Sequence, residues 1–141
     1  MNMDDKAAVK AVNAKFYEAL STQDLEAMEG VWLHEPWVRC VHPGWEILTG
    51  WQSIRKSWAN IFKNTAYLKI IASRVSIHAS GEVAWVVCTE NIASAQEANY
   101  QTATALATNV YHKVGEAWLL VHHHASPVTV NVPVQTSESI Q

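Results

Sequence analysis

The side chains with most scope for chemistry lie together near the C-terminus, where His122-His123-His124 interrupt an apolar run that begins at Trp118. Strict strand alternation puts Trp118, Leu120, His122, His124 and Ser126 on one face, and Leu119, Val121, His123 and Ala125 on the other. With Trp118 and Leu120 turned inward, His122 and His124 line the interior and His123 faces out. Imidazoles titrate near neutral pH, so His122 and His124 are candidate acid–base groups; hydrogen bonds to neighbouring strands would occupy them just as well. They could also begin a zinc site, which needs a third and preferably a fourth ligand. His34 and His42 are the remaining candidates, no spacing signature links them, and no metal is expected.

Glu90 stands in Val86-Val87-Cys88-Thr89-Glu90-Asn91, where a carboxylate is costly to bury unless it is paired. Desolvated, it would be a general base with a raised pKa. On the outer face it would pair with a group such as Arg74 or His123, and this second placement is the expected one. Further on, Ala103, Ala105, Ala107, Asn109 and Tyr111 share a strand face. The alanines leave space there, and Asn109 and Tyr111 add polar contacts at one end. Asn109 could instead close a backbone hydrogen bond at a bulge.

Five of the seven tryptophans, Trp32, Trp37, Trp45, Trp51 and Trp58, fall within 27 residues. Their rings either wall a pocket for a flat or apolar ligand, with indole N–H groups as orienting donors, or plug the interior. Composition narrows the setting. Of 141 residues, 49% are hydrophobic and 16% charged, too apolar for a disordered chain. No apolar run approaches the ~18 residues of a membrane helix. A net charge of -3 with ten Lys and Arg makes nucleic acid an unexpected partner. The acidic start Met1-Asn2-Met3-Asp4-Asp5-Lys6 lacks the apolar segment of a signal peptide, and Cys40 and Cys88 read as packed, reduced thiols, so a cytoplasmic protein is expected. Glycines are scattered singly, without a phosphate loop or a nucleophile elbow.

The elements that must position these groups follow from periodicity. Val9, Val12, Phe16, Ala19 and Leu20 predict a helix from about Asp4 to Leu20. Asp24 begins a second, Leu25 to Glu29, closed by Gly30. A short strand is expected around Trp37–Val41. Thr49-Gly50-Trp51-Gln52 fits a capping box for a third helix reaching about Lys63, with Trp51, Ile54, Trp58 and Ile61 on one face. Four strands follow: about Tyr67–Ala79, Glu82–Ile92, Tyr100–Lys113 and Ala117–Ser126. Helices followed by sequential strands predict an α+β domain, helices gathered on one face of an antiparallel sheet. The domain is expected over residues 1–128. A tail over 129–141 alternates valines to Val134, as an edge strand would, although Pro133 cannot donate to a ladder, and its end is expected to be disordered.

This order, together with Val41-His42-Pro43-Gly44-Trp45, Leu48-Thr49-Gly50-Trp51, Ser57-Trp58, Ala107-Thr108-Asn109-Val110-Tyr111 and Trp118 to Pro127, resembles the nuclear transport factor 2-like, or SnoaL-like, superfamily. The final strand is similar also to the association domain of calcium/calmodulin-dependent protein kinase type II. The resemblance implies a cystatin-like, cone-shaped curved sheet wrapped around three N-terminal helices. It also implies an apolar cavity between them, no cofactor, and a homodimer through the outer sheet face. The pocket would then be lined by Tyr17, Trp32, Trp37, Trp51, Trp58, Asn109, Tyr111, His122 and His124. The kinase association domains carry an arginine at the Asn109 position, which is absent here. All three aspartates, Asp4, Asp5 and Asp24, precede the strands, so the aspartate-based sites of ketosteroid isomerases, limonene epoxide hydrolases and SnoaL cannot be placed. The expected function is binding of a small, largely apolar or aromatic organic ligand as a homodimer. An association module with a filled cone, and a cofactor-independent lyase or isomerase using His122 or His124, are the alternatives, with Glu90 a further catalytic candidate.

Overall fold

Near residue 66 the apolar period changes from 3.6 to 2, and helices give way to sheet. A computed structural model describes residues 3–129 of the chain. The elements are α1 (Met3–Thr22), α2 (Leu25–Val31), β1 (Arg39–Val41), β2 (Leu48–Thr49), α3 (Trp51–Asn64), β3 (Tyr67–Ser80), β4 (Val83–Gln96), β5 (Asn99–Val114) and β6 (Ala117–Pro127). The strands form one six-stranded sheet in the order β2-β1-β6-β5-β4-β3. Pairing is antiparallel except between β1 and β6, where Arg39, Cys40 and Val41 run parallel to His122, His123 and His124. The α+β class holds, with the helices on the inner face of a curved sheet. The sequence reading lacked β2, began β1 at Trp37, and ended α2 before Gly30, which the helix instead contains. Among the described residues no helix is long and apolar enough to cross a membrane. Of the expected tail, residues 130–141 lie outside the described residues.

The core forms where the two inner surfaces meet. Val9, Phe16 and Leu20 of α1, Met28 of α2 and Ile54 and Trp58 of α3 pack on Val86, Leu120 and the alanines of β5. Burial of apolar surface on this scale is the main driving term of the fold. Ser21 pins the end of α1 to β3: its Oγ accepts from Ile70 N at 2.9 Å and donates to Ile70 O at 3.2 Å. Gln23, at φ 53°, turns the chain into α2 while its side chain bonds Thr65 O at 2.6 Å.

Two β-bulges decide which side chains face inward. In β3 the pairing with β4 shifts between Ser73 and Ser76, where Arg74 takes φ 53°. Leu68 and Ile70 face in before the bulge, and Ala79 after it. In β6, Val110 pairs with His122 but Tyr111 pairs with Leu120, so Val121 is the extra residue. Leu120 and Val121 are both buried, and alternation restarts one residue out of step. His123 and Ala125 therefore point inward, while His122 is half-buried and His124 exposed on the outer face. The strict alternation expected from the sequence inverts here, and with it the placement of all three histidines.

The two helix starts also differ. Asp24 caps α2, its carboxylate accepting from Ala27 N at 3.1 Å. The expected Thr49 capping box does not form. Gly50 is the N-cap of α3 at φ 91°, without a side-chain bond. Backbone carbonyls of the preceding loop serve the helix start instead: Gly50 N donates to Val38 O at 2.8 Å and Trp51 N to Glu35 O at 3.1 Å. Asp24→Ala should accordingly cost about 1 kcal/mol in a urea melt, whereas Thr49→Ala should change stability by less than about 0.5 kcal/mol. Equal losses for the two variants would contradict this assignment of caps.

Candidate functional site

A polar cluster sits inside the apolar core. On α1, Asn13 and Tyr17 lie one helical turn apart and face the sheet beside Phe16. On β4, alternation puts Cys88 and Glu90 on the inner face with Ala84 and Val86. Glu90 is 2% exposed and lies in register between Ala72 of β3 and Ala105 of β5, small residues that leave room for a carboxyl group. Asn109 and Tyr111 enter from β5, and the β6 bulge delivers His123.

The hydrogen bonds fix most of the proton positions. Asn109 Nδ2 donates to Asn13 Oδ1 at 3.0 Å and to Tyr17 Oη at 3.1 Å. Tyr111 Oη donates to Asn13 Oδ1 at 2.8 Å. Tyr17 gives its only proton to Glu90 Oε2 at 2.7 Å, so the Cys88 thiol, 3.2 Å away, is the donor in its contact with Tyr17 Oη. Asn109 Oδ1 must then accept, and at 2.6 Å it takes the Nδ1 proton of His123. That tautomer leaves His123 Nε2 unprotonated, 4.0 Å from Glu90 Oε2.

Burial governs the charge states. Desolvation raises the Glu90 pKa, and the Tyr17 hydrogen bond only partly opposes it. Desolvation, reinforced by His42, His122 and His124, holds His123 well below the ordinary imidazole value. Tyr17 is pushed up by burial and by the neighbouring Glu90. Burial thus pushes all three groups toward their uncharged forms, and the hydrogen bonds hold them as one oriented network.

A second buried histidine lies next to it. His42 Nε2 donates to Ser57 Oγ at 2.8 Å, and Ser57 passes its own proton to Ile54 O at 2.7 Å. The serine hydroxyl is committed to that carbonyl, so the pair is structural. The imidazole meets Trp45 and Trp58 edge-on, with ring centroids 4.7 and 4.5 Å away, and burial lowers its pKa to about 4.

Above Asn13 and Tyr17 lies a cleft of about 380 Å³ between α1 and the bend of β3. Its walls are Ala14, Ile70, Ile71, Ala72 and Val75, and the exposed Lys10 and Glu18 stand at its rim.

Of the side chains expected around one pocket, Tyr17, Asn109 and Tyr111 meet in the cluster. Trp32 and Trp58 are buried in the core, and with Trp118 they hold indole N–H groups that have no hydrogen-bond partner among the described residues. Trp51 is half-buried and stacks on His34, with ring centroids 4.4 Å apart. Trp37 and Trp45 are each 46% exposed, Trp37 beside His112 and Trp45 beside His42. His122 and His124 stand on the outer face, away from the cluster, because of the β6 bulge. Glu90, expected on that outer face, is instead the innermost acid. Cys88, His42 and His123 were read from the sequence as a packed thiol, a metal candidate and an outward-facing partner for Glu90, and Asn13 was not singled out. Asn13 had a readable signal, since it shares the inward stripe of α1 with Val9, Phe16 and Leu20.

The SnoaL-like domain family matches residues 9–131. A solved structure from Streptomyces avermitilis, described as a candidate dehydratase of the NTF2-like family, is 35% identical with a TM-score of 0.84, covering 90% of this chain and 98% of its own. One from Thiobacillus denitrificans, described as a candidate calcium/calmodulin-dependent protein kinase type II association domain, is 26% identical with a TM-score of 0.76, covering 85% and 94%. The F-box protein SKIP8 of Arabidopsis thaliana is 26% identical over 124 residues, 88% of this chain and 51% of that protein, so the chain spans about half the length of this curated relative.

His42 yields a pH prediction. Its folded pKa of about 4 lies below the ordinary value, so between pH ~6.5 and 4 the unfolded chain binds the extra proton and stability falls with acidification. His123, also lowered, adds to this, and Glu90, raised, opposes it. His42→Gln removes the first contribution. The wild type should lose on the order of 3 kcal/mol more than the variant between pH 7 and 4, read from urea melts across pH. Parallel curves for the two proteins would contradict the assignment.

Proposed function

The chain belongs to the SnoaL-like domain family, and on that premise we propose that it binds a small, largely apolar organic molecule as a cytoplasmic homodimer. The binding place is the cleft between α1 and β3, its apolar walls taking the body of the ligand. One observation carries this reading: the cleft is floored by Asn13 and Tyr17, the outermost members of a buried, hydrogen-bonded cluster. Purely structural cores of this size are better served by apolar side chains, because each buried polar group must be matched by a partner. A cleft of about 380 Å³ falls within the range of small-ligand sites.

Pairing through the outer sheet face is supported by its apolar content. Trp85 and Val87 of β4 and Leu106 of β5 are exposed there, next to the half-buried Val110. Lone exposed apolar residues need no explanation, but a contiguous patch marks an interaction surface. The buried free thiols of Cys40 and Cys88 fit a reducing compartment.

A second reading, as a cofactor-independent lyase, draws on the 35% identical relative described as a candidate dehydratase. In that reading the proton passes through Tyr17 and Glu90, the acid–base pair that meets beneath the cleft at 2.7 Å.

Screening the protein against a small-molecule library by ligand-observed NMR should give apolar hits in the micromolar to millimolar range. Ala14→Trp, at an exposed position of the cleft wall, should abolish them while leaving the melting temperature unchanged. Hits that persist in this variant would refute the cleft as the site. Wild type should sediment at micromolar concentration at twice the 15.7 kDa chain mass, and Val87→Glu should shift it to the single-chain mass. A wild-type protein that sediments as a single chain would reject the dimer.

A further inference from the structure

The orientation of the Asn13 carboxamide is set by its neighbours. Asn13 Oδ1 receives two donors, Asn109 Nδ2 at 3.0 Å and Tyr111 Oη at 2.8 Å, and the bond from Asn109, whose amide is itself oriented by His123 and Tyr17, is lost if Asn13 flips. The oxygen therefore points into the core, and the planar group turns Nδ2 the opposite way. Asn13 is 4% exposed and lines the cleft, and its Nδ2 has no hydrogen-bond partner among the described residues. Among the described residues the side-chain atoms sealed from both water and protein are the indole nitrogens of Trp32, Trp58 and Trp118, so solvent serves this N–H until a ligand acceptor takes that place.

Among the described residues the other uncharged polar side chains lining the cleft are already engaged, Ser21 Oγ by the backbone of Ile70. Tyr17 Oη is saturated by Asn109, Cys88 and Glu90. Charge selects further. The charged side chains lining the cleft are Lys10 and Glu18, exposed at the rim and of opposite sign. An anionic head seated on Asn13 would be desolvated with the Glu90 carboxyl behind Tyr17 and no cation at the floor to offset it.

We propose that the cleft takes a neutral carbonyl compound, a ketone, ester or amide on an apolar body, whose oxygen accepts from Asn13 Nδ2. Asn13 is then the residue that sets the preference of the site. This rests on the ligand-binding reading above.

Three probes on one skeleton test it: 2-acetylnaphthalene, 2-ethylnaphthalene and 2-naphthoate, titrated into the full chain by NMR with the side-chain amide signal of Asn13 followed. The ketone should bind about tenfold more tightly than the hydrocarbon and the carboxylate, and it alone should shift that amide signal. Asn13→Asp keeps an oxygen for Asn109 and Tyr111 but replaces the donor with an acceptor. It should weaken the ketone about tenfold and leave the hydrocarbon unchanged, in a protein whose near-ultraviolet circular dichroism is native. Should the variant fail to fold, the amide signal of the wild type still decides. Equal binding of ketone and hydrocarbon with an unmoved amide overturns the carbonyl inference and leaves the cleft standing. Tightest binding by the carboxylate overturns the neutral-ligand claim. Failure of all three to bind at millimolar concentration removes the cleft reading and this inference with it.

Discussion

Asn109 ties three neighbours together through its side chain. Its two amide protons go to Asn13 and Tyr17 on α1, and its oxygen takes the Nδ1 proton of His123 on β6. Through Tyr17 the chain of bonds reaches Glu90 on β4. One carboxamide thus sets the depth and rotation of α1 against three neighbouring strands. A hydrocarbon of the same volume would fill the space but leave the His123 Nδ1 proton without its acceptor and take a donor from both Asn13 Oδ1 and Tyr17 Oη in a medium of low dielectric. The rest of the interior follows from this arrangement. The alanines of β5 stay small to admit it, and Phe16 and Trp58 close around the His123 ring, with centroids at 4.9 and 6.1 Å.

The same cluster links stability to chemistry. A buried acid, a phenol and an imidazole are each pushed toward their neutral forms by one cause, loss of hydration. Only the outermost layer, Asn13 and Tyr17, meets the cleft. The deeper groups act on anything bound there by orienting those two.

How far the sequence disclosed this depends on which force decided each element. Long-period patterns were legible: α1, α3 and the four long strands lie close to where apolar spacing put them, because burial of a continuous face dominates there. Asp24 was legible as a cap because its carboxylate answers a local need. The Thr49 box was misleading, since loop carbonyls from Glu35 and Val38, distant in no local rule, reached the helix start first. Glu90 was misplaced because both faces of β4 are apolar, with Trp85 and Val87 on one and Val86 and Cys88 on the other, so hydrophobicity gave no direction. The tryptophans divide between interior and surface: Trp32 lies against Trp51 with ring centroids 5.9 Å apart, Trp45 and Trp58 share the His42 ring, and Trp37 is exposed.

Val121 has a consequence for how relatives are compared. A bulge adds a residue without adding a rung, so strand positions beyond it are shifted in phase by one while the letters run on unbroken. Two homologues sharing the pattern Val-His-x-His-x-Ser can be aligned column by column without a gap and still turn different histidines toward the interior, if one of them places its bulge elsewhere. Equivalence along this strand is therefore a property of ladder partners, His123 with Asn109 and His122 with Val110, and site residues should be transferred by those pairings rather than by the order of the chain.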